Sequence, residues 1–471
     1  MNNLLTDGHK LPGLVYKPEI LFIILGLIFG FIFILKLAPL SGTDEFTHFP
    51  RVYQISEGTF WEKRLPGDQY GGKLPVNINN MINAYRNLSR FPSGQTYING
   101  RNKLNDRYSK IYNPGNKKVD AIFTSVIAYP PWAYLPSLVG LEVAKVLRLP
   151  LVWYVFLSRM SNLFVWLILT YFAIKLIPSG KWFLAVLALV PTALAQASTV
   201  SNDGLLMGLS WLLVALVLAA IAGSIRLNRF IIGLLILVAA FSALVKDGYF
   251  LLGFLPLAIP GYRFSSRIKA YLFKAVNTAL ILVIATWFTL HTTSVVKGVV
   301  LTPTIGMYFN SSQQINYITH HLFLYSWHLI EQPFLAVFNS TYIGMVGILT
   351  NRLIYLPLFV VGTIYFCLYY AFIKTRSVQE IQKHPYAIPI FVAIFYGTYL
   401  LVATALYIGD TSVGATFVHG LYGRYFLPVL PLLLIIPLSI KHRILKSSEK
   451  YQPLVIAGSL IGLIAMALSL R

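Results

Sequence analysis

Charged side chains are scarce in this sequence, so the few places where they gather against apolar surroundings are the places to look for chemistry. The densest is Ser41-Gly42-Thr43-Asp44-Glu45-Phe46-Thr47-His48-Phe49-Pro50-Arg51. If the chain turns helical at Thr43, then Asp44, His48 and Arg51 stand at i, i+4 and i+7 on one helix face. Two adjacent carboxylates can hold a divalent cation, Mg or Mn, or one of them, Asp44 or Glu45, can take a proton from a hydroxyl nucleophile. The alternative is local: Thr43 caps the helix and the acids favour its N-terminal dipole. Asn202-Asp203 ends a small-residue stretch and opens an apolar one, where a carboxylate is costly unless it is solvated or paired; capping of the next helix is the competing account.

Three cationic positions complement these acids. Lys246, in Lys246-Asp247-Gly248-Tyr249, can bind a phosphate or pair with Asp247 and reach to the interface along its aliphatic stem. Arg424, in Gly423-Arg424-Tyr425 with His419 just before it, suits an anionic ligand, or else bridges to Asp410 or Glu331. Arg159 stands near the start of an apolar stretch. The run Tyr129-Pro130-Pro131-Trp132-Ala133-Tyr134 is either an aromatic interface anchor or a surface for a lipid tail or sugar ring. His320, His321, His328 and Glu331 share an aromatic segment that reads as an interfacial amphipathic helix or, alternatively, a metal site. The sequence has no Walker, Rossmann glycine, HExxH or GxSxG pattern.

The elements that must position these residues are membrane helices. Of 471 residues 56% are hydrophobic and 11% charged, with mean hydropathy +0.67, against roughly 25% charged in soluble domains. The single cysteine excludes a disulfide scaffold. The fold expected is an all-α polytopic protein of about eleven spans, within a range of ten to thirteen. They lie near Ile20–Leu40, Tyr154–Ile174, Trp182–Thr199, Gly204–Ala222, Phe230–Val245, Tyr249–Gly261, Tyr271–His291, Leu353–Ile373, Tyr386–Ile408, Arg424–Ile440 and Pro453–Leu470. The net charge of +22 does not call for nucleic acid, because 17 of the 38 basic residues fall in alternate short loops and the N-terminal segment, as cytoplasmic loops require. This places the N-terminus in the cytoplasm and the C-terminus outside, with Pro131–Leu147 and Pro333–Leu349 as interfacial helices. Residues 1–18 form a cytoplasmic N-terminus, 19–293 a transmembrane module with a large outer loop at 41–153, 294–352 a second outer loop, and 353–471 a C-terminal transmembrane module. Eight of the sixteen acidic residues lie in the first outer loop, a concentration that a mere anchor has no need of.

At these residues the chain resembles a bacterial family of multispanning membrane proteins with a Pro-x-x-Asp-Glu-x-x-His-like signature after the first span. Here it reads Pro39-Leu40-Ser41-Gly42-Thr43-Asp44-Glu45-Phe46-Thr47-His48, followed by Arg51, Tyr53 and Gly58. Further likenesses are Tyr129 to Pro136, Gln196 to Gly204, and Gly423-Arg424-Tyr425-Phe426-Leu427-Pro428. That family is similar to GT-C glycosyltransferases. The resemblance implies a GT-C-like arrangement with a catalytic module at 19–293, and transfer of a sugar from a polyprenyl-phosphate carrier to a cell-envelope glycan or lipid-linked acceptor, with inversion. It implies Asp44 and Glu45 as catalytic residues. It gives His48, Asn202 and Asp203 as positioners of the acceptor or a metal, and Arg424, Lys246, Arg159 and Tyr425 as the donor-phosphate site. The implied setting is the bacterial plasma membrane. Two other functions fit the sequence: a transporter or flippase of lipid-linked saccharides, which predicts internal repeats, and a non-catalytic subunit of a polysaccharide assembly complex.

Overall fold

The computed structural model describes residues 17–61, 63–65, 69–88, 94–126, 129–296, 310–335, 345–347, 356–440 and 451–470. The first helix, α1 (Pro18–Lys36), opens on a proline in its first turn, where the missing N–H costs nothing, and runs through uninterrupted apolar residues. After a tight turn come α2 (Glu45–Ser56), strands β1 (Lys63–Leu65) and β2 (Gln69–Pro75), α3 (Val76–Leu88), α4 (Gln95–Tyr108), β3 (Lys118–Ile122) and α5 (Leu135–Val146). The three strands form an antiparallel sheet in the order β1-β2-β3, with Lys63 opposite Gly71 and Gly71 opposite Ile122. The all-α expectation is corrected here: the chain is mostly helical, but a small sheet is built into the 41–153 segment. Its close pairing depends on Gly71, where an added Cβ would lie 1.9 Å from the Ala121 carbonyl oxygen.

The helical body follows. Helix α6 (Leu151–Leu176) has 26 residues, about 39 Å at 1.5 Å per residue. It packs on α1, α5 and α9 (Asp203–Ala222). Helix α9 is apolar on every side because it is enclosed on every side: 89% of its apolar window is buried. Between them the expected span Trp182–Thr199 is broken into α7 (Lys181–Ala188) and α8 (Pro191–Ala197), because Pro191 cannot continue the preceding helix. The chain continues with α10 (Arg229–Leu244), α11 (Arg267–Val296), α12 (Ser311–His320), α13 (Leu322–Leu335), α14 (Leu358–Ile373), α15 (Gln379–Gln382), α16 (Ala387–Asp410), α17 (Ile435–Ser439) and α18 (Gln452–Ser469).

Six of the described helices are long and apolar enough to cross a bilayer: α1, α6, α9, α11, α16 and α18. Three shorter apolar helices are Arg229–Leu244, Leu358–Ile373 and Leu430–Ser439. Two expected spans are not regular α-helices. Tyr249–Gly261 is largely a 3-10 segment, Phe250–Ala258, interrupted by Pro256. Arg424–Ile440 is the 3-10 turns Gly423–Phe426 and Leu430–Leu434 followed by α17. The segment expected as an interfacial helix, Pro131–Leu147, forms a 3-10 turn, Pro131–Tyr134, leading into α5. Most of Pro333–Leu349 lies outside the described residues.

Candidate functional site

The site is assembled at the end of α1, where four chain-distant turns meet. Asp44 occupies the N-cap position of α2 with φ +56°, the left-handed region that non-glycine residues seldom enter, although Asp tolerates it better than most. Its carboxylate does not cap the helix, so the capping account fails for Asp44; nor is Thr43 the cap, since α2 begins one residue later. Instead Asp44 Oδ2 accepts from Arg424 Nη2 at 2.8 Å, and the side chain remains 44% exposed. The backbone oxygen of Asp44 receives the Thr47 and His48 amides and the Thr47 hydroxyl, which fixes the turn.

Glu45 points the other way, into protein. Its Oε1 accepts from Arg159 Nε at 2.7 Å and Val200 N at 2.9 Å, and its Oε2 from Arg159 Nη2 at 2.5 Å and Gly42 N at 3.0 Å. Both side chains of this pair have no solvent exposure. Arg159 spends its remaining donors on the carbonyls of Ile34, Leu37 and Ala38 at the end of α1. These are carbonyls that a helix C-terminus leaves without intrahelical partners. The geometry departs from two expectations: both Glu45 oxygens already accept from four donors rather than facing a substrate, and the Arg159 donors are all engaged within the protein rather than turned to a phosphate. The same geometry answers the metal question: with Glu45 saturated and a guanidinium on Asp44, the adjacent carboxylates do not fit a divalent cation. Among the described residues no three His, Cys, Asp or Glu gather closely enough for one. His328 pairs with Glu331 at 2.9 Å, whereas His320 bonds the Asn316 carbonyl.

The second acid stands beside the first. Asp203, the first residue of α9, accepts from Lys246 Nζ at 2.7 Å, so Lys246 pairs with Asp203 rather than with Asp247. Asp247 closes its own turn onto the Gly248 amide. There Gly248 adopts φ +86°, a bend that turns the chain from α10 towards the 3-10 segment. The Lys246 ammonium lies over the rings of Tyr129 at 5.5 Å and Tyr425 at 5.1 Å. Burial opposes its charge, but Asp203 and the neighbouring phenols outweigh that and hold its pKa well above the ordinary lysine value. Arg424 lies over Tyr422 at 5.2 Å and the other side of the same cluster, Tyr425, at 5.1 Å. Both cations thus contact the Tyr425 ring, and Arg424 Nη2 also donates to the Tyr425 hydroxyl at 3.3 Å. Tyr249 donates its hydroxyl to the Tyr425 carbonyl at 2.7 Å and locks that turn. Arg424 does not bridge to Asp410 or Glu331: Asp410 takes His419 at 3.2 Å.

His48 closes the floor. Its Nδ1 and the Tyr134 hydroxyl share a hydrogen bond at 2.8 Å, and its ring stacks on Tyr129 at 5.9 Å with a 7° interplanar angle. Burial pushes its pKa down to about 4, against the attraction of Asp44 and Asp203, so the imidazole is neutral at physiological pH. Asn202, which precedes Asp203, is fully buried, and neither polar atom of its side chain has a partner. Arg424 Nε is likewise buried and unpartnered. The turn bearing Asn202 and Asp203 is itself held by Asn162 Nδ2, which donates to the carbonyls of Thr199 and Ser201 at 2.7 and 3.0 Å.

The structure therefore brings together Asp44, His48, Asn202, Asp203, Lys246, Arg424 and Tyr425. Sequence reasoning missed Tyr249, Tyr422 and Asn162 as members. For Asn162 the signal was there, since it is an amide inside an apolar span, three residues after Arg159. Chemically the arrangement offers one accessible carboxylate, two cations flanked by aromatic faces, and buried amide and guanidinium donors awaiting partners.

Comparison with known proteins yields no matching curated protein and no matching solved structure. A family model described as Predicted membrane protein (DUF2142) matches residues 27–433, a stretch that takes in Asp44, Asp203, Lys246 and Arg424. The chain belongs to that family of membrane proteins.

Proposed function

We propose that the protein is a GT-C-like membrane glycosyltransferase that moves a sugar from a polyprenyl-phosphate carrier to an envelope glycan or lipid-linked acceptor on the outer face of a bacterial plasma membrane. The observation that carries the reading is the half-exposed Asp44 carboxylate, held in a left-handed turn beside Arg424 and one aromatic ring from the Asp203–Lys246 pair. An anionic lipid-linked donor needs cations for its phosphate and an apolar, aromatic surface for what the phosphate carries. Arg424 and Lys246, both against the Tyr425 ring, with Tyr129 beside Lys246, supply both.

In this mechanism Asp44 takes the proton of the acceptor hydroxyl, and the oxygen attacks the anomeric carbon. The carbon–oxygen bond to the phosphate breaks, and its electron pair leaves on the phosphate. A phosphate leaving group needs its charge neutralised more than it needs a proton, so the two cations suffice and no acid is required. Asn202 offers a donor and an acceptor to a sugar hydroxyl. Neutral His48 fixes the Tyr129–Tyr134 wall. Backside attack by the hydroxyl inverts the anomeric centre. The donor site is tested by equilibrium binding of a polyprenyl monophosphate to the purified protein. Arg424→Gln is expected to weaken binding at least tenfold, because a charge-assisted phosphate contact is worth about 1.5–3 kcal/mol. Unchanged binding in this variant would remove the phosphate from the proposed place.

A further inference from the structure

At the far end of α6 lies a second feature that the proposed transfer does not use. Arg159 and Leu176 are 17 residues apart on this helix, about 25 Å, so the turn beyond Leu176 is well away from Asp44. A cavity of about 250 Å³ opens there, lined among others by Gly180, Lys181, Trp182, Lys374, Arg376 and Tyr451. Among the described residues that line it, three side chains are cationic and none is acidic. Glu380, nearby in sequence, is engaged by Arg263 and Lys383.

Two helices begin at this cavity, α7 at Lys181 and α18 at Gln452, and neither has a side-chain cap. Their first amides therefore add partial positive charge to that of the three side chains. An aromatic path leads away from the cavity: Tyr451 contacts Tyr370 edge-on at 6.0 Å, and Tyr370 stacks on Phe366 at 5.8 Å. Phe366 is 52% exposed on the apolar flank of α14. Lys374 lies over the Tyr370 ring at 5.5 Å.

A cavity lined by three cations, with no carboxylate among its described lining residues, and joined by a run of ring contacts to an apolar flank fits a phosphate group with acyl chains attached. We propose that it is a second, anion-binding site for a phosphate group, presented by the headgroup of an anionic phospholipid or as free phosphate. The proposal is independent of the glycosyltransferase reading, since it concerns neither Asp44 nor its neighbours.

The test is titration of the purified full-length protein in neutral detergent, read by native mass spectrometry, with phosphatidylglycerol, phosphatidylcholine and inorganic phosphate as separate probes. Phosphatidylglycerol is expected to bind at least tenfold more tightly than phosphatidylcholine. Lys374→Gln/Arg376→Gln is expected to abolish that preference, and Arg226→Gln, an exposed cation outside the cavity, to leave it intact. Phosphatidylglycerol binding tighter than inorganic phosphate assigns the site to a lipid headgroup, whereas equal binding of the two assigns it to free phosphate. No preference for phosphatidylglycerol together with no phosphate binding overturns the proposal. So does a preference that Arg226→Gln reduces as much as the double variant, since that would be general surface charge.

Discussion

Replacing Glu45 by Gln separates a structural carboxylate from a catalytic one. Each Glu45 oxygen accepts two hydrogen bonds, from Arg159 Nε and Val200 N on one side and from Arg159 Nη2 and Gly42 N on the other. A carboxamide keeps one acceptor oxygen and turns an NH2 group towards the other two donors. Two buried donors lose their acceptor at about 1–3 kcal/mol each, and Arg159 loses its counter-charge in a place with no solvent. The sum is about 4 kcal/mol, in the range found when one partner of a buried pair is removed, and equals nearly a thousandfold in the folded-to-unfolded ratio. Chemical unfolding in detergent, followed by tryptophan fluorescence and by the monodisperse peak on size exclusion, measures it. Glu45→Leu/Arg159→Leu is expected to lose less than Glu45→Gln alone, because no charge is then stranded. A Glu45→Gln protein that unfolds like the wild type but has lost its activity would refute the reasoning and return Glu45 to the chemistry.

Asp44→Asn is expected to lower stability by no more than about 1 kcal/mol, because the carboxylate is half exposed, the Asn oxygen can still accept from Arg424, and Asn accepts the left-handed turn as readily as Asp; Asp44→Leu is expected to lower it further, by about 1–2 kcal/mol through backbone strain. Asp203→Asn leaves the mostly buried Lys246 without its carboxylate and is expected to cost on the order of 3 kcal/mol, with Asp203→Asn/Lys246→Met recovering most of it in the same unfolding assay. His48 has a folded pKa near 4 against an ordinary 6.5. The unfolded chain therefore binds a proton that the folded one refuses, and stability falls as pH drops from 6.5 towards 4, by about 3 kcal/mol in all. His48→Gln is expected to remove that slope in acid unfolding curves, and an unchanged slope would show that another group titrates.

Much of the site was legible because charge is conspicuous where it is costly. Asp44, Asp203, Lys246 and Arg424 each stand at the edge of an apolar stretch, where an ionised group requires a partner or a purpose. Which partner was not legible. Asp44 and Arg424 are 380 residues apart, and Glu45 and Arg159 are 114 apart, so both pairings follow from the packing order of helices, which no local pattern encodes. Adjacent carboxylates suggest a shared task, yet the left-handed turn at Asp44, just before α2 begins, sends Asp44 to the surface and Glu45 to the interior. The same limit explains the broken spans. Hydropathy counts apolar residues, whereas Pro191, Pro256 and Pro431 decide whether the backbone runs through them as one helix. The small sheet was hidden for a further reason: β2 carries Gly71 and Gly72 in its middle, and glycine-rich segments lack the branched and aromatic side chains by which strands are recognised.

The central claim is tested most directly by sugar transfer in proteoliposomes, with a radiolabelled polyprenyl-phosphate sugar as donor and an envelope-glycan extract as acceptor. Wild type is compared with Asp44→Asn after both have been shown to fold equally. The account predicts label in the glycan with wild type and a loss of at least a hundredfold with Asp44→Asn, as expected on removal of a general base. Equal transfer by the two proteins, or no transfer by either while labelled lipid crosses the bilayer, would contradict it.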